Sequence, residues 1–98
     1  MRVAWTKDAS DELAAMLAFI ARSSPKRAAN WAQRILKAEA AILQFPGAAK
    51  YYSETDTYDR HVTKTRALLT YAVRADIIWI IGVWHTSRDP KEKPKRSA

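Results

Sequence analysis

The chain has 98 residues, of which 48% are hydrophobic and 28% charged, the proportions of one packed domain rather than of a disordered or fibrous chain. It has no cysteine, which excludes disulfides, thiolate nucleophiles and cysteine-bound zinc; two glycines, Gly47 and Gly82, are too few for a glycine-rich phosphate loop. Lys and Arg number 17 against 10 Asp and Glu, a net charge of +7.

In chain order, Arg2-Val3-Ala4-Trp5-Thr6 alternates polar and apolar residues as a short half-buried strand does. Thr6 can cap a helix that begins at Lys7 and Asp8 and runs to about Arg22, with Ala9, Leu13, Met16, Leu17 and Ile20 at helical spacing. Ser24-Pro25 restarts the pattern with an N-cap and a proline at the first helical position. Ala28, Trp31, Ala32, Ile35, Ala38, Ile42 and Leu43 then form an apolar stripe that Phe45-Pro46-Gly47 ends. With only Ser23 and Ser24 between them, the two helices should form an antiparallel hairpin, and their alanines let them approach closely.

Residues 47 to 57 read as a polar loop. Three strand signals follow, Tyr58 to Thr63, Ala67 to Arg74 and Ile77 to Trp84, the last two joined tightly by Ala75-Asp76. The run from Ile77 to Trp84 is apolar on both faces, as expected of a strand covered on both sides, or on one side by a partner. The expected fold is α+β: an N-terminal strand, an antiparallel two-helix hairpin and a three-stranded antiparallel meander, β-α-α-β-β-β. Residues 1–90 form the single domain, and residues 91–98 are a basic tail expected to be disordered.

The positive charge is clustered, which points to an anionic partner. Lys26, Arg27, Arg34 and Lys37 occur with no acid between residues 23 and 37. Arg60, Lys64, Arg66 and Arg74 face only Asp76 over residues 60 to 76, while Glu54, Asp56 and Asp59 form an acidic stretch just before. No window holds the roughly 18 consecutive apolar residues of a membrane span, and the start lacks an apolar signal segment, so the expected location is the cytoplasm without membrane contact.

Val3-Ala4-Trp5-Thr6 leading into Ala9 and Leu13, Ile42-Leu43-Gln44-Phe45-Pro46 closing the second helix, Tyr71, and Val83-Trp84-His85-Thr86-Ser87-Arg88-Asp89 occur in an order and spacing that resemble the RelE/ParE toxin superfamily, within it the ParE branch, over residues 1 to about 90. Two positions depart from that pattern. Trp79 stands where the family often has a charged residue, and Gly82 where it often has an arginine, so the last strand here is unusually apolar.

The resemblance implies a toxin of a type II toxin–antitoxin pair that binds DNA gyrase, arrests replication and is neutralised in a hetero-oligomer by a small antitoxin with an acidic C-terminal segment. The alternative it implies is the RelE-like endonuclease that cuts mRNA on the ribosome without a metal. That chemistry needs a base for the ribose 2′-OH, cations on the developing phosphorane charge and an acid for the leaving oxygen. Arg66, Arg74, His85 and Tyr71 are its candidates, with Glu54 a further proton carrier. His85 reads more readily as a cap at a strand end, and Tyr71 as a half-buried sheet residue whose hydroxyl reaches water. For plain binding, Arg60, Lys64, Arg66, Arg74 and Arg88 are the target-contacting candidates. Trp79, as an exposed anchor, with Arg66, Arg74 and Arg34 are the antitoxin-contacting ones. Trp31 belongs to the core. The two histidines, His61 and His85, lie on different expected strands, so neither a metal site nor a cofactor is expected. A basic nucleic-acid-binding module without chemistry is a third class consistent with the charge.

Overall fold

The computed structural model describes residues 1–96, and the expected tail residues 97 and 98 lie outside the described residues. Strand β1 (Arg2–Trp5) is followed by helices α1 (Lys7–Ser23) and α2 (Pro25–Gln44), then by strands β2 (Lys50–Tyr52), β3 (Thr57–His61), β4 (Ala67–Arg74) and β5 (Ile77–His85) and a short 3-10 turn (Pro90–Glu92). The α+β class, the helix hairpin and the antiparallel β3-β4-β5 meander are as the sequence predicts.

The helix boundaries follow from side-chain chemistry. Thr6 Oγ1 accepts the Ala9 N–H, and Ser24 alone joins the two helices. The Ser24 N–H closes α1 on the Ile20 carbonyl while its Oγ accepts the Arg27 N–H to open α2, whose Pro25 has no N–H to satisfy.

The sheet has the order β1-β5-β4-β3-β2, with β1 parallel to β5 and the other pairs antiparallel. The expectation of a loop over residues 47 to 57 is corrected: Lys50–Tyr52 pair with Thr57–Asp59 as an edge strand. All three of its residues are exposed, so it has no apolar period to betray it. Its stability comes from backbone pairing and from the tyrosine rings: Tyr51 meets Tyr58 at a tilt, centroids 5.0 Å apart, and Tyr58 stacks on Tyr71 at 5.1 Å.

Both helices cover one face of the sheet. Ile20, Trp31, Ile35 and Ile42 from the helices meet Leu69, Tyr71, Ile78 and Ile80 from β4 and β5, all at most 6% exposed. Truncating one of these isoleucines to alanine costs about 2–5 kcal/mol. Trp5 Nε1 donates to Glu39 at 3.2 Å, tying β1 to α2.

The apolar run in β5 has two causes. The strand is central where β1 flanks it, up to the Trp5–Ile80 pair. Its other face is covered in part by residues expected to be a disordered tail. Lys93, Pro94 and Arg96 lie against Thr70, Gly82 and Trp84, and Lys93 Nζ reaches Asp59 at 2.7 Å. Beyond Ile80, where β1 has ended, the Glu12 carboxylate accepts the Val83 N–H at 3.0 Å and Arg96 donates to the Ile81 carbonyl at 2.8 Å. Side chains thus satisfy an edge that has lost its strand partner. A Cβ at Gly82 would come within 2.9 Å of Arg96 Nη1, so the missing side chain makes room for that guanidinium. No helix among the described residues is long and apolar enough to cross a membrane.

Candidate functional site

The β3–β4 turn and the end of β5 meet at one end of the sheet, because Ala67 pairs with His85. In that turn Lys64 adopts φ 61, a left-handed conformation that a non-glycine residue holds at a cost of about 1–2 kcal/mol. The start of α2 lies over the same end. Trp31, 6% exposed, stacks on the His85 ring with centroids 5.7 Å apart, and the Arg27 guanidinium covers Trp31 at 5.8 Å. Between α2 and the turn runs a cleft of about 560 Å³ that includes Arg27, Asn30, Arg34, Lys37 and Lys64. It continues past Arg27 and Lys64 into a second depression that reaches His61, Arg66 and Thr86. No carboxylate lines either hollow, and among the described residues Arg27, Arg34, Lys37, Lys64 and Arg66 form no ion pair.

His85 sits where this charge converges. Burial, and then the nearby Arg66, Arg27 and Arg88, hold its pKa below the ordinary histidine value, so the ring is neutral at pH 7. Its Nδ1 accepts from Ser87, from the hydroxyl at 2.6 Å and the N–H at 3.2 Å, which leaves the ring proton on Nε2. This is the geometry of a strand-end cap.

The four nuclease candidates do not come together. Tyr71 is fully buried, and the reading that its hydroxyl reaches water is corrected: it donates to the Pro46 carbonyl, and burial raises its pKa. A tyrosine on an alternating strand shows its face, but only the helix packed over it decides whether the hydroxyl is wet. Arg74 lies at the far end of β4, seven residues or about 23 Å from Ala67, and pairs with Asp56 at 3.0 Å. Arg66 and His85 remain at the basic end. Glu54 is exposed beside Asp56, towards the opposite end.

Of the other binding candidates, Lys64 and Arg66 are exposed at the basic end, while Arg60 is half-buried with its Nε lacking a hydrogen-bond partner. Arg88 stacks over Trp84 at 4.6 Å and reaches Glu92 at 3.6 Å. Arg34 lines the cleft. Trp79, expected as an exposed anchor, is half-buried instead, paired with Ala4 and Ala72. The prominent apolar side chains are elsewhere: Phe19 is 68% exposed, Leu36 63% and Phe45 60%. Phe19, with Met16, Trp84 and Arg88, borders a groove of about 460 Å³ beside the partnerless half of β5. Sequence reasoning missed Arg27 and Lys37 as site residues although it marked their cluster, because nothing in sequence joins α2 to the β3–β4 turn. It also missed Phe19, whose place just outside the Met16–Ile20 stripe was the available signal. Among the described residues no three His, Asp or Glu side chains gather as a metal ion would need.

A family described as the ParE toxin of the type II toxin–antitoxin system parDE matches residues 3–90. The chain belongs to the ParE toxin family. Among solved structures, a chain of the chromosomal ParDE toxin–antitoxin system from P. aeruginosa superposes with a TM-score of 0.75 at 18% sequence identity, over 87% of this chain and 95% of that one. That likeness shows the fold. No curated protein matches the chain. The ParE branch, rather than the wider superfamily, is therefore the right frame for the basic end and the β5 groove.

Proposed function

We propose that this ParE toxin arrests replication by binding DNA gyrase, and that a cognate antitoxin with an acidic, amphipathic segment neutralises it in a cytoplasmic hetero-oligomer. One observation carries the choice of binding over the RelE-like reading: the nuclease candidates are dispersed, with Tyr71 sealed in the core and Arg74 at the far end of the sheet. What the basic end offers instead is an array of cations in which His85 is held by Trp31 and Ser87, with no carboxylate or tyrosine lining the hollows to complete an acid–base pair, an arrangement suited to contact rather than in-line cleavage. The groove between α1 and β5 suits the antitoxin, since Phe19, Met16 and Trp84 offer apolar anchors and Arg88 a charge for a carboxylate at the rim.

The test is purified gyrase with supercoiled plasmid and ATP. The toxin should block supercoiling and accumulate cleaved DNA, and a stoichiometric antitoxin should reverse both. Unaffected gyrase, together with mRNA cut at codons on translating ribosomes, would replace this reading with the nuclease one.

A further inference from the structure

The basic cleft is built on one flank of α2. Taking 100° per residue, Arg27, Arg34 and Lys37 fall within an arc of about 80°, beside the stripe that Trp31, Ile35, Ala38 and Ile42 bury. The only acid on this helix, Glu39, lies on the opposite flank and is engaged by Trp5. From Arg27 to Lys37 is ten residues, about 15 Å of helix, long enough to span several successive phosphates of one DNA strand. Lys64 and Arg66 face this row from the β3–β4 turn, which the Thr65 N–H and hydroxyl hold by donating to the Val62 carbonyl. Asn30 adds a neutral donor between the charges.

We propose that this cleft grips the sugar–phosphate backbone of duplex DNA, Arg27, Arg34 and Lys37 running along one strand while Lys64 and Arg66 close from the turn. Single strands are generally held by exposed aromatic platforms on which bases stack. The aromatic ring within this cleft, Trp31, is buried and already covered by Arg27 and His85, so it offers no such platform. Contacts confined to phosphates carry no sequence information, and the grip is indifferent to sequence. The toxin would thus touch DNA itself as well as any protein that holds it. Binding to DNA alone is a property separate from gyrase inhibition and does not depend on it.

Fluorescence anisotropy of the full chain with a labelled 20-base-pair duplex tests the proposal. The chain should bind at about 50 mM salt, equally on unrelated sequences, and neutralising four phosphates should weaken binding roughly a hundredfold by about 200 mM. The double variant Arg34→Glu/Lys64→Glu should bind at least about tenfold more weakly at the lower salt, whereas Arg2→Glu/Lys50→Glu, the same change in net charge at other places, should stay within about threefold of the parent. Melting curves check that each variant folds; if the glutamate pair in the cleft does not, Arg34→Gln/Lys64→Gln takes its place. Absence of binding at low salt, equal losses in the two double variants, or tighter binding to single-stranded RNA than to the duplex would each overturn the proposal. Gyrase inhibition by a chain that does not bind DNA would sink this inference and leave the gyrase reading standing; DNA binding without gyrase inhibition does the reverse.

Discussion

The rings of Trp31 and His85 stack with their planes 19° apart, joining the first turns of α2 to the last residue of β5. The neutral imidazole is the form this stack favours, since burial and three neighbouring arginines all oppose its protonation. The folded pKa therefore lies below the ordinary 6.5, and the folded state binds fewer protons than the unfolded one between the two values. His85 leaves stability intact above that ordinary value and takes some away as pH falls through it. The melting temperature should drop between pH 7.5 and 5.5, and His85→Gln should flatten that drop while leaving growth arrest largely intact. A variant that folds with unchanged stability but has lost toxicity would assign His85 a role in function.

Tyr71→Phe removes a buried hydroxyl that donates to the Pro46 carbonyl. The expected cost is about 1–2 kcal/mol, the loss of one bond with its acceptor stranded. Growth arrest should persist in cells at a temperature where the variant remains folded. If arrest disappears while urea titration gives the parental stability, the hydroxyl has a task beyond the core.

Glu12 and Arg96 meet at 2.6 and 2.8 Å in a two-pronged pair, 84 residues apart in sequence. Partial burial works against the Glu12 charge, but Arg96, the Val83 N–H and Arg88 outweigh it and hold its pKa below the ordinary carboxylate value of 4.5. The stabilisation is thus present above that value and is lost as pH falls below it. Glu12→Gln should remove the difference between pH 6 and pH 3.5 that this pair contributes. Amide exchange should also speed at Val83, whose N–H the carboxylate receives. Unchanged exchange at Val83 would show that the edge is satisfied some other way.

Ala75 turns the β4–β5 hairpin at φ 53, a conformation in which its Cβ costs about 1 kcal/mol or more. Ala75→Gly relieves that strain and adds a smaller unfolded-state penalty, for a net gain of about 0.5 kcal/mol, or a few degrees in melting temperature. A lower melting temperature would mean that the turn is not under strain.

Phe19→Ser takes an exposed ring out of the groove beside β5 without touching the core. Antitoxin affinity should fall about tenfold or more by calorimetry, as for other aromatic anchors, whereas Lys26→Ala should change it little. Equal affinity for the Phe19 variant and the parent would move the antitoxin away from this groove.

Much of the fold was legible because periodicity and punctuation agreed. Thr6, Ser24 and Pro25 mark helix starts by the hydrogen bonds their side chains can or cannot make, and the β4 and β5 runs could only be strands of a covered sheet. Strand β2 was not legible, since Lys50, Tyr51 and Tyr52 pair through backbone groups that every sequence has. The site was legible only by halves. The cations were visible in two separate clusters, but which of them face one another depends on how α2 crosses the sheet. Trp79 misled because a tryptophan in an over-apolar strand reads as a surplus, when Ala4 and Ala72 beside it leave room for its ring. The contacts of the 91–96 segment were not legible, because its composition is that of a solvated tail and nothing in sequence joins Lys93 to Asp59 on β3 or Arg96 to Glu12 on α1.

The two ends of the sheet differ in how their charge is balanced. At one end Arg74 and the N-terminal amine pair with Asp56 and Asp76, whereas at the other Lys64 and Arg66, with Arg27, form no ion pair among the described residues. A molecule so divided has a lasting electric dipole along its strands, and near a polyanion it experiences a torque before it makes any contact. It arrives basic end first, and the charge-balanced turns trail outward into solvent.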